Sequence, residues 1–450
     1  MEDSIFKAYD IRGLFPAEVD AEAALAIGRA VARHLGGSPV IVGRDMRESG
    51  IELCAALIAG LRSEGCSVID IGRVSTPMVY FATNAANAAG GVMITASHNP
   101  GAYNGFKVCA RSAVPVGGDS GLREIGETAR ALLGEARPEF SGSAEERDFK
   151  PAYYASLLEM FPARPRLRVV IDAGNGIAGE AAEGLLTQLP LEVTRLYFEP
   201  DGSFPNHEAN PLELENLADL RRAVIESGAD LGIAFDGDGD RCVFVDERGD
   251  PVPADLMTAL LAGVAVEHGM LGAVQGSPIV YDLRSSRAVP EAIRACGASP
   301  VRGRVGHSFL KATMRETNAC FAGELSGHYY FRFPAGYIGD DGLAAMLFGI
   351  QAMDLDGRTL SEMWKPFRRY SQSGEINSRV ADVQQTLARV RQAFPDGEVD
   401  ELDGLTIQYR DWWLNVRPSN TEPLLRLNVE AGNDEEMAAH RDAVLAVIRS

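Results

Sequence analysis

The sequence predicts an α/β fold: three consecutive mixed-sheet α/β domains followed by a smaller C-terminal α+β domain. Three observations carry that reading. The chain has 450 residues, which at roughly 150 residues per domain suggests about three domains, with two or four still allowed. Short apolar runs alternate with helical stretches, and this rhythm begins three times over, as layered α/β units require. Near residue 373 it gives way to closely spaced strands and one long final helix. Apolar residues at 46% and charged residues at 24% supply ample material for packed cores and exclude wholesale disorder. Glycine is richer than usual, with 47 residues, which points to many tight loops.

In the first unit a helix begins at Asp20, sets Ile27, Val31 and Leu35 on one stripe and stops at Gly36-Gly37. Strands follow at 39–43, 67–71 and 91–95, with a helix over 51–64 between the first two. The second unit opens with the strand in 167–176 and continues through the apolar run 229–235. After a helix over 256–267, the third unit opens at the strand 277–281. No exact repeat underlies the three units, so their likeness is one of element order. The tail carries strands at 405–409, 412–416 and 424–429 and a helix over 434–448. The expected domains are 1–145, 146–250, 251–370 and 371–450, with 142–147 and the polar segment around Gln372 as linkers.

Charge narrows the partners. Forty-three Lys and Arg against 63 Asp and Glu give a net charge of −20, which disfavours nucleic acid and an anionic membrane surface as partners. An anionic ligand then needs a local basic site. The longest apolar run, 256–266, falls short of the roughly 18 residues of a spanning helix, and the acidic start Met1-Glu2-Asp3 is no signal peptide. The chain therefore reads as cytoplasmic. Six cysteines without CxxC spacing read as free, mostly buried thiols. Oligomeric state, monomer or dimer, leaves no mark in the sequence.

Four loops carry candidate chemistry. Thr95-Ala96-Ser97-His98-Asn99-Pro100 follows the strand 91–95, at the strand end where α/β sheets keep reactive groups. No GxSxG elbow is present, so Ser97 is not a lipase-type nucleophile; a phosphorylated serine and a capped turn are the two readings. Asp236-Gly237-Asp238-Gly239-Asp240-Arg241 follows the strand ending at Phe235. Its alternating carboxylates share one side of an extended chain, and the glycines let the backbone curl until three oxygens converge. A divalent cation, Mg²⁺ or Ca²⁺ with oxygen ligands, would relieve their repulsion; solvated surface acids are the alternative. An EF-hand fails because Arg241 stands where its loop requires glycine. Gly323-Glu324-Leu325-Ser326-Gly327-His328 suits hydrogen bonding to a polyhydroxy ligand, or forms a turn. Arg417-Pro418-Ser419-Asn420-Thr421-Glu422-Pro423 offers a guanidinium fork and neutral donors fit for phosphate, or a Pro-bounded hairpin.

In order and wording these segments, from Tyr9-Asp10-Ile11-Arg12-Gly13 to Arg417-Pro418-Ser419-Asn420-Thr421, resemble the α-D-phosphohexomutase superfamily and its bacterial phosphomannomutase/phosphoglucomutase branch. The resemblance covers nearly the whole chain. It implies four domains around a central cleft and an enzyme that moves a phosphoryl group between O6 and O1 of a hexose through a 1,6-bisphosphate. By it Ser97 is the phosphoserine and, with Asp236, Asp238 and Asp240, a ligand of Mg²⁺. Glu324 and Ser326 hold sugar hydroxyls, and Arg417, Ser419, Asn420 and Thr421 hold the nonreacting phosphate. Tyr9, Arg12, Arg284 and Arg304 are further substrate contacts, and His98, Lys107 and Arg241 stand near the phosphoserine. His307, His328 and Lys107 are the candidates for general acid and base. Hexose phosphates are the implied substrates and a hexose 1,6-bisphosphate the implied activator. Two departures stand out: Arg284 and Arg304 occupy positions where the family commonly has lysine, and the two side chains differ in geometry. Leu325 fits the mannose/glucose branch, which typically has Met there, better than the phosphoglucosamine mutase alternative, which typically has Gln.

Overall fold

In each of the first three units the strand before a candidate loop lies inside a mixed sheet, and the loop turns the chain back along an antiparallel neighbour. The computed structural model describes residues 1–135, 139–418 and 424–450. In the first sheet the strands run in the order Ile11–Leu14, Tyr103–Ala110, Gly90–Ile94, Val40–Arg44, Val68–Arg73 and Ala144–Glu146. Gly90–Ile94 is buried along its length, parallel to Val40–Arg44 and antiparallel to Tyr103–Ala110. Both its faces are covered, which explains an unbroken apolar run instead of alternation. The helix Ala21–Leu35 packs on Ser49–Ser63. It starts where Asp20 accepts a bond from the Ala23 N–H at 2.8 Å and ends where Gly36 turns left-handed at φ 59°.

The second and third sheets repeat the device. Leu231–Phe235 runs parallel to Arg168–Asp172 and returns as Cys242–Asp246, with Phe235 opposite Cys242. Phe321–Gly323 runs parallel to Pro278–Asp282 and returns as Tyr329–Arg332, with Gly323 opposite Tyr329. The three loops thus leave the C-terminal ends of parallel strands, where open α/β sheets keep ligand sites. The tail is an antiparallel sheet, with Leu424–Ala431 and Trp412–Pro418 central and the helices Val383–Ala393 and Asp434–Ile448 against it.

One apolar cluster runs without a break from Ile41 through the second unit to Trp364, so the first three units share a core. The tail keeps its own, built on Val390, Ile407, Leu414, Leu427 and Val444. It docks on the third unit through polar contacts: the Arg287 guanidinium donates to the carbonyls of Tyr409, Arg410 and Trp412, and Arg302 pairs with Asp400.

Two sequence expectations are corrected. Residues 142–147 are no linker, because Ala144–Glu146 pairs in parallel with Val68–Arg73 as the edge of the first sheet. All three side chains are exposed, so no apolar alternation marks the strand. The segment around Gln372 is likewise a strand, Ser371–Gln372, paired with Leu424–Ala431. The described cysteines are all unpaired. Among the described residues no helix is long and apolar enough to cross a membrane.

Candidate active site

The loops from three units and Arg417 from the tail converge on one cavity of about 720 Å³. Its walls include Tyr9, Arg12, Ser97, His98, Lys107, Arg241, Arg284, His307, Glu324, Ser326, His328 and Arg417. A cavity of that size accommodates a small phosphorylated ligand. Arg304 stands apart: it is exposed, stacks over the Phe309 ring at 3.8 Å and lines an adjacent cavity. Ser419, Asn420 and Thr421 lie outside the described residues.

Ser97 sits at the mouth of the buried strand with φ 51°, a left-handed conformation that a serine holds only under constraint. Its Oγ donates to Asp236 Oδ2 at 2.8 Å and lies 3.2 Å from His98 Nδ1. The contact crosses from the first unit to the second, and Gly237 permits it: a Cβ there would stand 2.3 Å from the Ser97 carbonyl oxygen. Asp236, Asp238 and Asp240 are buried and bring one carboxylate oxygen each within 4.8 Å of one another. Burial first, and then Asp240 and Asp238, push Asp236 up to about 8. Asp238 Oδ1 accepts no hydrogen bond, and Asp240 Oδ1 faces His328 Nε2 at 3.3 Å. Three converging acids with a hydroxyl beside them fit a hard divalent cation with oxygen ligands.

Cations surround the acids. Lys107 Nζ lies 2.6 Å from both Asp238 Oδ2 and Asp240 Oδ2, and this pairing overcomes burial to hold its ammonium charged. Arg241 Nε lies 3.6 Å from Asp236 Oδ2. Arg241 comes first in driving His98 well below its ordinary range, followed by burial, Arg12 and Lys107. His98 is therefore neutral in this field. Arg12 donates to Asn99 Oδ1 at 2.7 Å and pairs with Asp10.

The loop from the third unit is tied to the acidic loop through the backbone. Arg241 and His328 form an antiparallel bridge, and the Cys242 N–H donates to the Gly327 carbonyl at 3.0 Å. Burial disfavours the His328 imidazolium, but Asp240 Oδ1 at 3.3 Å outweighs it and, with Glu324, raises it to about 9. Ser326 Oγ meets His328 Nδ1 at 2.8 Å. Glu324 accepts from Tyr330 at 2.6 Å, Arg284 at 3.3 Å and the Gly306 N–H at 3.2 Å. Burial opposes its charge, yet His328 and Arg284 hold it ionised. Arg284 also pairs with Asp282 at 2.8 Å. His307 opens the helix His307–Thr317 with its Nδ1 buried and unpartnered. Burial and then Lys311 bring it down to about 4, so it is neutral at pH 7.

Sequence reasoning passed over several residues found here. Arg417, Arg426 and Arg284 all face Glu375, at 2.6, 2.9 and 3.5 Å, so one carboxylate gathers cations from the tail and the third unit. Lys311 and Asp340 form a buried pair at 2.6 Å beneath the histidines. Arg47 holds the Ser97 loop from behind.

Comparison with known proteins follows the same outline. Models of the phosphoglucomutase/phosphomannomutase family match in order: alpha/beta/alpha domain I at 3–132, domain II at 152–249, domain III at 253–370 and the C-terminal domain at 375–447. The phosphomannomutase of Methanocaldococcus jannaschii is 38% identical over 437 residues, covering 96% of this chain and 95% of the relative. The phosphomannomutase/phosphoglucomutase of Pseudomonas aeruginosa is 38% identical over 445 residues, covering 96% and 93%. Among solved structures, a phosphoglucomutase/phosphomannomutase family protein from Burkholderia thailandensis superposes with a TM-score of 0.89 at 34% identity, covering 100% of this chain and 98% of that one.

Proposed function

Because the chain belongs to the phosphoglucomutase/phosphomannomutase family, we propose that its cleft interconverts hexose 6-phosphate and hexose 1-phosphate through a phosphoserine at Ser97. The protein is a phosphohexomutase, a phosphotransferase acting on mannose phosphates, glucose phosphates or both; its relatives do not favour the phosphoglucosamine alternative. The observation that carries the role of Ser97 is the 2.8 Å contact of its Oγ with Asp236 across two units. That contact supports the reading of Ser97 as the phosphoryl carrier, because the three buried acids of the 236–240 loop could hold a cation beside it.

The residues divide the work as follows. Asp236, Asp238 and Asp240, with the Ser97 oxygen, would hold Mg²⁺, which when bound supplies neutralisation of charge on the transferring phosphoryl group. Lys107, Arg241 and Arg12 add fixed positive charge on the same side. A phosphoserine brings about −1.5 to −2 charge, and these cations make its burial tolerable. Glu324, held ionised and aimed by Tyr330, Arg284 and the Gly306 N–H, accepts from sugar hydroxyls, with Ser326 beside it. Arg417 and the Ser419–Thr421 segment receive the nonreacting phosphate, with Arg284 and Tyr9 on the same wall.

In the first half-reaction a sugar hydroxyl attacks the phosphoserine phosphorus, the Oγ–P bond of Ser97 breaks, the hydroxyl gives up its proton and Oγ takes one. Lys107 and His328 are held protonated; Lys107 serves as a fixed cation, and His328 as a cation and proton donor. His307 is neutral, buried and unpartnered at Nδ1 and is the base. A bound phosphate dianion raises its basicity toward the working pH. The bisphosphate then turns around, and the other phosphate returns to Ser97 Oγ. A trace of hexose 1,6-bisphosphate activates by restoring the phosphoserine when it is lost. The chain works in the cytoplasm.

The test compares glucose 1-phosphate, mannose 1-phosphate and glucosamine 1-phosphate as substrates, with Mg²⁺ and a trace of glucose 1,6-bisphosphate, for wild type and Ser97→Ala. Turnover of the first two, lost in the variant while binding persists, is expected. Full activity of Ser97→Ala refutes the phosphoserine. Free phosphate released in excess of isomerised sugar would make the protein a phosphatase instead.

A further inference from the structure

Arg47 stands in the connection between Val40–Arg44 and Ser49–Ser63, and its side chain is 1% exposed. Its guanidinium donates to four carbonyls of the segment that carries Ser97: Ser97 at 2.9 Å, Asn99 at 2.6 Å, Pro100 at 2.8 Å and Tyr103 at 2.9 Å. The fifth donor, Nε, meets Asp45 Oδ2 at 3.3 Å, while Asp45 Oδ1 accepts from the Arg47 backbone N–H at 2.9 Å. All five N–H groups of a guanidinium fork are thereby used. A hub of this kind explains how Ser97 keeps its left-handed φ of 51° without a glycine, because such a conformation persists only where the surroundings over-determine it.

The same side chain meets the unit that bears the acids. The Phe204 ring centroid lies 5.2 Å from the Arg47 guanidinium carbon. Gly202 approaches so closely that a Cβ there would stand 3.0 Å from Arg47 Cα, and a Cβ on Gly101 would stand 2.4 Å from the Gly202 carbonyl oxygen. The Ser97 loop and the 202–204 loop of the second unit therefore rest on one guanidinium.

We propose that Arg47 is a positioning residue for phosphoryl transfer, setting Ser97 Oγ against the acidic loop through its hold on the loop carbonyls. The inference rests on the reading of Ser97 as the phosphoryl carrier. It assigns Arg47 no part in sugar binding, since all five of its guanidinium donors are taken up by Asp45 and the loop carbonyls.

The experiment uses the full-length dephospho-protein with Mg²⁺ and glucose 1,6-bisphosphate as donor. In the measured step an Oγ–P bond forms at Ser97 as an O–P bond of the bisphosphate breaks, and the serine proton passes to the released sugar oxygen. Rapid quench and mass spectrometry give the rate of uptake; calorimetry gives the affinity for glucose 1-phosphate. Arg47→Lys retains charge but offers three donors in place of five. It is expected to slow uptake about 100-fold, the cost of a misplacement near 1 Å, with affinity held within about twofold. Asp45→Asn, which leaves the guanidinium but loosens its anchor, should slow uptake by about tenfold. Uptake at the wild-type rate in Arg47→Lys overturns the inference, as does a parallel loss of rate and affinity. If Arg47→Lys does not fold, Asp45→Asn decides, and an unchanged rate there overturns it. Wild-type protein that takes up no phosphate refutes the reading of Ser97 and the inference together; wild-type uptake matched by both variants refutes the inference alone.

Discussion

Lys311→Met tests how the floor of the cleft is held together. Lys311, in the helix His307–Thr317, places Nζ 2.6 Å from Asp340 Oδ1, with side-chain exposures of 0% and 1%. Neither Asp340 oxygen is otherwise hydrogen-bonded, so the ammonium is what neutralises it. The same ammonium lies 4.1 Å from the Tyr80 ring of the first unit. Removing one partner of a buried pair costs about 3–5 kcal/mol, because the remaining charge is left uncompensated. In wild type, burial raises the Asp340 pKa but Lys311 brings it below the ordinary range, so the pair stabilises above the unfolded carboxylate pKa and that contribution fades as pH falls. In the variant the folded carboxyl is raised, so its penalty is absent at acid pH and grows as pH rises. The deficit is therefore small near pH 4 and full near pH 8. Thermal unfolding at those two values reads it. With about 2.1 cal/mol/K of unfolding entropy per residue, the loss lowers the midpoint by about 4–6 °C if the first three units melt together and by about 12–20 °C if the third melts alone. The continuous core from Ile41 to Trp364 predicts the smaller shift. Lys311→Met/Asp340→Asn should regain most of the loss. A deficit equal at both pH values, or a double variant no more stable than the single one, refutes the reasoning. Lys311 is also the leading charge, after burial, that lowers His307, so turnover in the variant should show a His307 titration moved upward.

The other predictions concern the metal, a histidine and the tail. Chelation should abolish turnover, restored by Mg²⁺, while the melting temperature hardly moves, because Lys107 already pairs with Asp238 and Asp240 at 2.6 Å; unfolding on chelation would show that the acids cannot stand without the ion. His307, at about 4 in the folded chain, binds its proton first in the unfolded state, so stability falls as pH drops from about 6.5 to about 4. His307→Gln should lose less than wild type between pH 7 and pH 5, and equal losses in scanning calorimetry contradict this. The tail, with its own core and polar docking contacts, should hinge when glucose 1,6-bisphosphate binds; small-angle scattering identical with and without ligand excludes that motion.

What the sequence disclosed, and what it withheld, follows from where each residue's partners lie along the chain. Ser97, the three aspartates and Glu324 were legible because each sits just beyond a buried apolar strand, and a strand end followed by glycine and polar groups is a local signal. The helix Asp434–Ile448 was legible from its pattern, whereas Ala144–Glu146 was not, since an exposed edge strand adds backbone pairing and leaves no apolar period. Arg47 reads as an ordinary basic residue before a helix, because its acceptors lie 50 to 56 residues away. Lys311 sits in a helix whose spacing lets it pass for a solvated position, and Glu375 gives no hint of the arginines at 417 and 426 until the tail sheet folds. The common factor is charge buried by tertiary contact. A loop motif announces the groups that meet substrate, but the groups that aim them are paid for by burial against distant partners, so their identity is set by the fold and becomes visible only there. Arg304 makes the converse point: the resemblance sets it at the ligand, yet its guanidinium lies on Phe309 beside the cleft. An arginine can stack on an aromatic face where a lysine would reach forward as a point charge, and this is one of the two positions where the chain departs from the family's usual lysine.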